Sequence, residues 1–268
     1  MIRTVIFDIG NVLTVFGWKN FIHSFGFPPE TEERVGKATV DNPFWHEFDR
    51  GFLSDDEMLA GFINNDPTVE KEIRQIFVSL HGIVTRADYA IPWIQKLKSA
   101  GYQVLVLSNF SDKVKRDNED AMDFLEYVDG GILSYRDGVI KPDPAIYRLL
   151  LGRYGLKAEE CVFLDDIQSN LDTAAGLGIH TILFRSLKQG QEELLQLGTL
   201  SVFISYAVVI FEPIQQLARL LADLISCQAN IERVTDLLEQ EPNVCDSPEV
   251  EEKYGDMFHP KKENWEEI

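Results

Sequence analysis

Asp8 follows three apolar residues, Val5-Ile6-Phe7, and precedes Gly10-Asn11. That order reads as a buried strand delivering a carboxylate to a tight turn at its C-terminal end, the edge where ligands bind in parallel α/β sheets. Three more polar clusters follow apolar, strand-like runs. Val104-Leu105-Val106-Leu107 ends at Ser108-Asn109, Val139-Ile140 leads to Lys141, and Val162-Phe163-Leu164 ends at Asp165-Asp166. A carboxylate nucleophile, a hydroxyl, a cation and a carboxylate pair, in that order, are the parts of a metal-assisted phosphoryl-transfer site. A carboxylate can attack phosphorus only if a cation screens the two negative groups, and Mg²⁺ held by oxygen ligands does this. Asp8, Asp165 and Asp166 supply such oxygens if the fold brings their strands together. Ser108 and the backbone N–H groups after it, at an expected helix start, suit phosphate oxygens. Lys141 supplies positive charge for the pentacoordinate state.

The elements that must position these groups alternate. Residues 5–7, 104–107, 162–164 and 182–184 read as strands, and 91–100, 144–154 and 168–177 as helices. Alternation of this kind predicts an α/β fold, a doubly wound parallel sheet with right-handed crossovers. Residues 16–89 break the rhythm with helical patterns, for example over 55–63 and 69–80, and no strong strand run. An insertion directly after the first strand is expected to form a helical cap over the C-terminal edge of the sheet, excluding water and selecting substrate. Trp18, Phe44 and Trp45 are aromatic residues of this segment that either contact a substrate or pack its core.

Composition narrows the class. The formal net charge of −19 over 268 residues argues against a nucleic-acid partner, which needs clustered Lys and Arg. The cysteines Cys161, Cys227 and Cys245 lack metal-ligand spacing and suit a reducing cytosol, so a cytoplasmic location is expected. The N-terminal residues lack the long apolar core of a signal peptide.

On four stretches the chain resembles the haloacid dehalogenase superfamily, in its phosphatase branch with a helical cap. They are Phe7-Asp8-Ile9-Gly10-Asn11-Val12-Leu13, Leu107-Ser108-Asn109, Lys141-Pro142-Asp143-Pro144-Ala145-Ile146-Tyr147 and Phe163-Leu164-Asp165-Asp166-Ile167-Gln168-Ser169-Asn170. The resemblance implies a catalytic core over residues 1–15 and 90–198 and a cap over 16–89. It implies an aspartyl-phosphate intermediate on Asp8 and Mg²⁺ held by Asp8, the backbone carbonyl of Gly10 and Asp166, with Asp165 nearby. Ser108, Asn109 and Lys141 would hold the phosphate of a small phosphorylated metabolite. The Asp-Asp-x-x-x-Asn form of the last motif favours a phosphatase over a dehalogenase.

One position departs from the pattern. Most phosphatases of the family carry a second Asp two residues after the nucleophile as general acid/base, and here that residue is Gly10. A positioned acid/base contributes roughly 10²–10⁴-fold. The alternative is therefore a catalytically weak or inactive phosphate-binding domain, and hydrolysis of a chromogenic phosphate ester separates the two.

Beyond about residue 198 the sequence changes character. Leu200 to Phe211 is nearly all apolar, and Leu217, Leu224, Ile231 and Leu238 then recur seven apart with Leu220, Cys227 and Val234 between them. That spacing predicts a long apolar or amphipathic helix over 199–241 with a coiled-coil-like seam, followed by a polar, acidic tail over 242–268. Phe203-Ile204-Ser205-Tyr206, Phe211-Glu212-Pro213-Ile214-Gln215-Gln216-Leu217-Ala218 and Glu232-Arg233-Val234 resemble the last membrane helix of an ABC exporter and its cytoplasmic extension. Asp246-Ser247-Pro248-Glu249-Val250 and Trp265-Glu266-Glu267-Ile268 resemble the linker to that family's nucleotide-binding domain, so the resemblance implies a fusion to an exporter fragment. No G-x-x-x-x-G-K-[ST] loop is present. An apolar run of about 12 residues is short for a bilayer, which needs roughly 20. Self-association along the seam and membrane contact through residues 200–238 are the two partner modes this segment suggests.

Overall fold

The computed structural model describes residues 1–239, 247–255, 259 and 261. The chain forms two compact units, Met1–Ser205 and Tyr206–Ile268. In the first, β1 (Thr4–Phe7), β4 (Gln103–Ser108), β5 (Gly130–Leu133), β6 (Cys161–Asp165) and β7 (His180–Leu183) form one sheet in the order β5-β4-β1-β6-β7. Every neighbouring pair is parallel. The order reverses at β1, which puts the crevice for a ligand at the C-terminal ends of β1, β4 and β6.

The apolar runs are continuous because both faces of the sheet are covered, and side chains alternate between them. Val5, Phe7, Val104, Val106, Val162 and Leu164 face one core, with Trp93, Ile94 and Leu97 of helix α6 (Ala90–Ser99). Ile6, Leu105, Leu107, Cys161 and Phe163 face the other. That side also holds Ile146, Tyr147 and Leu150 of α8 (Pro144–Tyr154) and Leu171 and Ala174 of α9 (Gln168–Gly176).

Two short strands, β2 (Thr14–Phe16) and β3 (Val84–Arg86), pair antiparallel, with Phe16 opposite Val84. Between them lie α1 (Trp18–His23), α2 (Pro29–Ala38), α3 (Trp45–Arg50), α4 (Asp55–Asn65) and α5 (Glu70–Phe77). The start of α4 is fixed by a capping box. The Ser54 amide donates to Glu57 Oε2 at 2.8 Å, and the Glu57 amide donates to Ser54 Oγ at 3.3 Å. Phe62 anchors the segment's interior, with the Phe44, Trp45, Phe48 and Phe77 rings 5.7 to 6.2 Å away.

The sequence reading differs from the structure at three places. Residues 139–140 form no strand, so Lys141 sits in a loop after β5 rather than at a strand end. β5, which opens on Gly130-Gly131, is not among the expected strands. Gly131 has φ +150°, and an added Cβ there would lie 2.2 Å from the Val106 carbonyl oxygen, so glycine is what lets this edge strand approach β4. The helix expected directly after Ser108 begins later, at α7 (Asp112–Asp117), with Ser111 Oγ accepting from the Val114 amide at 3.2 Å.

The long helix α10 (Leu187–Glu239) starts before the apolar run and contains Pro213. Leu217, Leu224, Ile231 and Leu238 are exposed along it. Helix α11 (Pro248–Tyr254) follows. Residues 242–246, 256–258, 260 and 262–268 of the expected acidic tail, including 265–268 of the exporter-like linker, lie outside the described residues. Among the described residues no helix is long and apolar enough to cross a membrane.

Leu194 is buried and Leu197 half-buried against the first core. A chain ending at Gly198 is therefore expected to stay soluble and unfold cooperatively, whereas one ending before Leu194 should lose about 2–3 kcal/mol of burial. Thermal unfolding followed by circular dichroism checks both, and loss of folding in the Gly198 form would mean that later residues complete the core.

Candidate active site

The residues singled out in the sequence converge at the C-terminal edge of the sheet. Asp8 follows β1, its amide donating to the Leu164 carbonyl at 2.9 Å. Ser108 ends β4, Asp165 ends β6, and all three are buried. Lys141 Nζ lies 2.7 Å from Asp8 Oδ1 and 2.7 Å from Asp165 Oδ2, bridging the two carboxylates. Its backbone is clamped by Asn109, whose Oδ1 accepts from the Lys141 amide at 2.7 Å and whose Nδ2 donates to the Lys141 carbonyl at 3.0 Å. Both ends of the Asn109 amide are thus used in positioning Lys141.

Asp165 is fully enclosed. Its Oδ1 accepts from the Ile167 amide at 2.8 Å, and Asn170 Nδ2 donates to both its oxygens at 3.1 Å. Asp166 is half-buried and accepts from Asn11 Nδ2 at 3.0 Å. Asn11 has φ +55°, a conformation Asn tolerates better than most residues, and its Oδ1 accepts from the Phe16 amide at 3.2 Å. Asn11 and Asn170 belong to the quoted motifs, but nothing in those motifs marks them as the residues that orient the two aspartates.

Burial dominates the electrostatics. It raises the Asp8 carboxyl above its ordinary range, Lys141 opposing and Asp165 reinforcing the shift. Burial alone would lower the Lys141 ammonium, but Asp8 and Asp165 outweigh it and hold the group above its usual value. Asp166 is raised as well, by burial first, with the Asn11 hydrogen bond opposing.

Carboxylate oxygens of Asp8, Asp165 and Asp166 all lie within 4.8 Å of one another. Asp8 Oδ1 is buried and has no aligned hydrogen bond, despite its ion pair. Three carboxylates against one ammonium, with one oxygen lacking a hydrogen bond, form a hard, oxygen-only donor set that fits Mg²⁺.

Above this floor is a cavity of about 210 Å³. Asp8, Gly10, Ser108, Asn109, Lys141 and Asp166 line it from the sheet, and Phe16, Trp45, His46, Asp49 and Val84 from the inserted segment and its neck. Of the three aromatics named from the sequence, Trp45 lines this cavity. Trp18 instead packs over Gly36 and Phe44 over Gly61. Asp49, a buried carboxyl at the cavity wall, carried no signal in the sequence.

A family profile described as haloacid dehalogenase-like hydrolase matches residues 2–178. Acyl-CoA dehydrogenase family member 10 of Mus musculus is 30% identical over 191 residues, covering 67% of this chain and 18% of that protein. The chain thus spans under a fifth of the length of that relative. Sesquiterpene phosphatase astK of Aspergillus oryzae is 22% identical over 177 residues, 66% of this chain and 87% of that protein. Among solved structures, a HAD family enzyme of Bacteroides thetaiotaomicron in complex with magnesium and inorganic phosphate superposes with a TM-score of 0.53 at 20% identity, covering 70% of this chain and 96% of that one. At that identity the likeness is one of fold.

Proposed function

Since the chain belongs to the haloacid dehalogenase-like hydrolases, we propose that it is a Mg²⁺-dependent phosphatase that hydrolyses a small phosphorylated metabolite through an aspartyl phosphate on Asp8. The observation that carries this reading is the juxtaposition of Asp8, Asp165 and Asp166 at the ends of the adjacent strands β1 and β6 with Lys141 from the loop after β5. The names of the sesquiterpene phosphatase and of the flavin mononucleotide hydrolase of Arabidopsis thaliana, 23% identical over 155 residues, support phosphate-ester chemistry.

Asp8 and Asp166, with the Gly10 carbonyl, would hold the Mg²⁺, and Asp165 stands behind them. Bound there, the ion screens the charge between a carboxylate nucleophile and the phosphoryl oxygens. The chain's own residues do the remainder. Asp8 attacks phosphorus, because its position at the end of a buried strand aims it into the cavity. Lys141 faces the same oxygens with a fixed charge, held by Asp165 on one side and by the Asn109 clamp on the other. Ser108 offers its hydroxyl to the phosphoryl group. Residues 16–89 form the cap in this reading, and Trp45 and Phe16 cover the substrate's organic part.

The family match ends at residue 178, so the exporter likeness of the tail bears on none of this chemistry. Phosphate release from a panel of sugar, nucleotide and prenyl phosphates tests the reading. Release is expected with Mg²⁺ and lost with chelator. A protein that binds inorganic phosphate yet turns over no ester would instead be a phosphate-binding domain.

A further inference from the structure

Gly10 leaves the nucleophile without the neighbouring carboxyl that would carry the proton, and backbone geometry does not require glycine there. Its φ lies outside the left-handed region, and an added Cβ would meet nothing closer than Asp8 Oδ2 at 3.9 Å. The proton must therefore be handled by another group, or the leaving oxygen must depart as an alkoxide.

Helix α3 brings one carboxyl to the cavity. Asp49 is 7% exposed, lines the same cavity as Asp8, and its side chain makes no hydrogen bond or ion pair among the described residues. A buried carboxyl without a hydrogen-bond or ion-pair partner costs stability. Its backbone is nonetheless fixed to the core. The Asp49 carbonyl accepts from Ser134 Oγ at 2.6 Å, and the same hydroxyl accepts from the Phe110 amide, two residues after Ser108, at 2.9 Å. Gly51, which ends α3, lies so close to Tyr135 that an added Cβ would meet its carbonyl oxygen at 2.5 Å. Asp49 thus comes from the inserted segment but is tied to the loop that carries the phosphate-facing residues.

Resting on the phosphatase reading, we propose that Asp49 is the general acid/base of this site, replacing the carboxyl missing at position 10. In the first step Asp8 Oδ bonds to phosphorus, the bond from phosphorus to the leaving oxygen breaks, and that oxygen takes the Asp49 proton. In the second, water attacks phosphorus, the bond to Asp8 breaks, and the Asp49 carboxylate takes the water's proton. The cycle returns both residues to their starting states and releases alcohol and inorganic phosphate. The electrostatics agree: burial first, opposed by Lys141 and reinforced by Asp8, raises the Asp49 carboxyl to about 8, so it holds its proton at neutral pH. Asp8, Lys141, Asp166 and His46 are the other titratable groups on the cavity wall. His46 lies one turn before Asp49 on α3, but it is exposed.

The test varies the leaving group. Asp49→Asn keeps shape and the neutral state, with Asp49→Ser as a second neutral replacement, and folding is checked by circular dichroism. Glycerol 2-phosphate must expel an alkoxide and needs the proton, whereas p-nitrophenyl phosphate expels a stabilised phenolate. We expect kcat/KM of Asp49→Asn to fall about 10²-fold or more on the first substrate and by only about threefold on the second. The wild type's decline in activity on glycerol 2-phosphate above about pH 8 should disappear in the variant. Equal losses on both substrates would mean a positional role and overturn the assignment. So would the leaving-group-dependent loss appearing in His46→Gln instead. If the wild type releases phosphate from neither ester nor from any member of the substrate panel, the phosphatase reading itself fails, and this inference fails with it.

Discussion

Asp8→Asn is expected to abolish phosphate release, by on the order of 10⁴-fold or more, while the protein keeps its fold and gains thermal stability at neutral pH. The amide matches the carboxylate in shape but is a poor nucleophile, so no aspartyl phosphate forms. The stability gain follows from the environment of the group. Burial raises the Asp8 carboxyl from 3.8 to about 6, against the pull of Lys141. A carboxyl whose folded pKa is raised binds its proton more tightly folded than unfolded. Stability therefore falls as pH climbs between those two values, and the deficit is complete above the higher one. Asn carries no such cost. Melting curves should nearly coincide at pH 4 and separate by pH 7.5, with the variant higher and the wild type regaining ground when Mg²⁺ is added. A variant that still turns over at more than about a thousandth of the wild-type rate would remove Asp8 as the phosphorylated group.

The parts of the site that were legible in the sequence sit where physics makes the pattern local. β1, β4 and β6 are buried on both faces, so each is a continuous apolar run, and the first polar residue after it marks the edge of the sheet. Asp8, Ser108 and Asp165 were visible for that reason. Lys141 was visible as a residue but not in its setting. β5 opens on two glycines, Gly130 close against Tyr154 and Gly131 against Val106 of β4, and the loop after it borrows its geometry from Asn109, 32 positions away. Asp49 was not visible at all. Its helix is six residues long, and what makes the carboxyl unusual is the burial that the rest of the chain creates around it. The apolar seam in α10 was legible as periodicity, but periodicity states which residues share a face and not what covers them.

Lys141→Met should be the most damaging single change, because it removes a cation that serves the fold as well as the reaction. Lys141 is 3% exposed and bridges Asp8 and Asp165 at 2.7 Å each. Methionine fills most of the volume but leaves two buried carboxylates facing each other. Removing one partner of a buried ion pair costs about 3–5 kcal/mol, or on the order of 10 °C in melting temperature for a unit of this size. The sign of the pH dependence identifies the cause. Without the ammonium the Asp8 carboxyl loses the charge that pulls it down and shifts further upward, so the variant's stability falls as pH rises above the ordinary carboxylate range. Its deficit against the wild type should be large at pH 8 and shrink towards pH 4, where Asp8 is protonated. A simple loss of packing would give a deficit that does not change with pH. Mg²⁺ should restore part of the lost stability at pH 8, by supplying positive charge to the same cluster in the folded state only. It should not restore turnover, expected to fall roughly 10²–10³-fold, because the screening charge on the phosphoryl oxygens is still missing. Lys141→Arg is expected to fail as well, since a planar guanidinium cannot occupy the space of a compact ammonium between two enclosed oxygens. Thermal melts at pH 4, 6 and 8, with and without Mg²⁺, decide the matter. A methionine variant that melts within 2 °C of the wild type at pH 8 would show that Lys141 does not offset a buried charge on Asp8 in the folded protein.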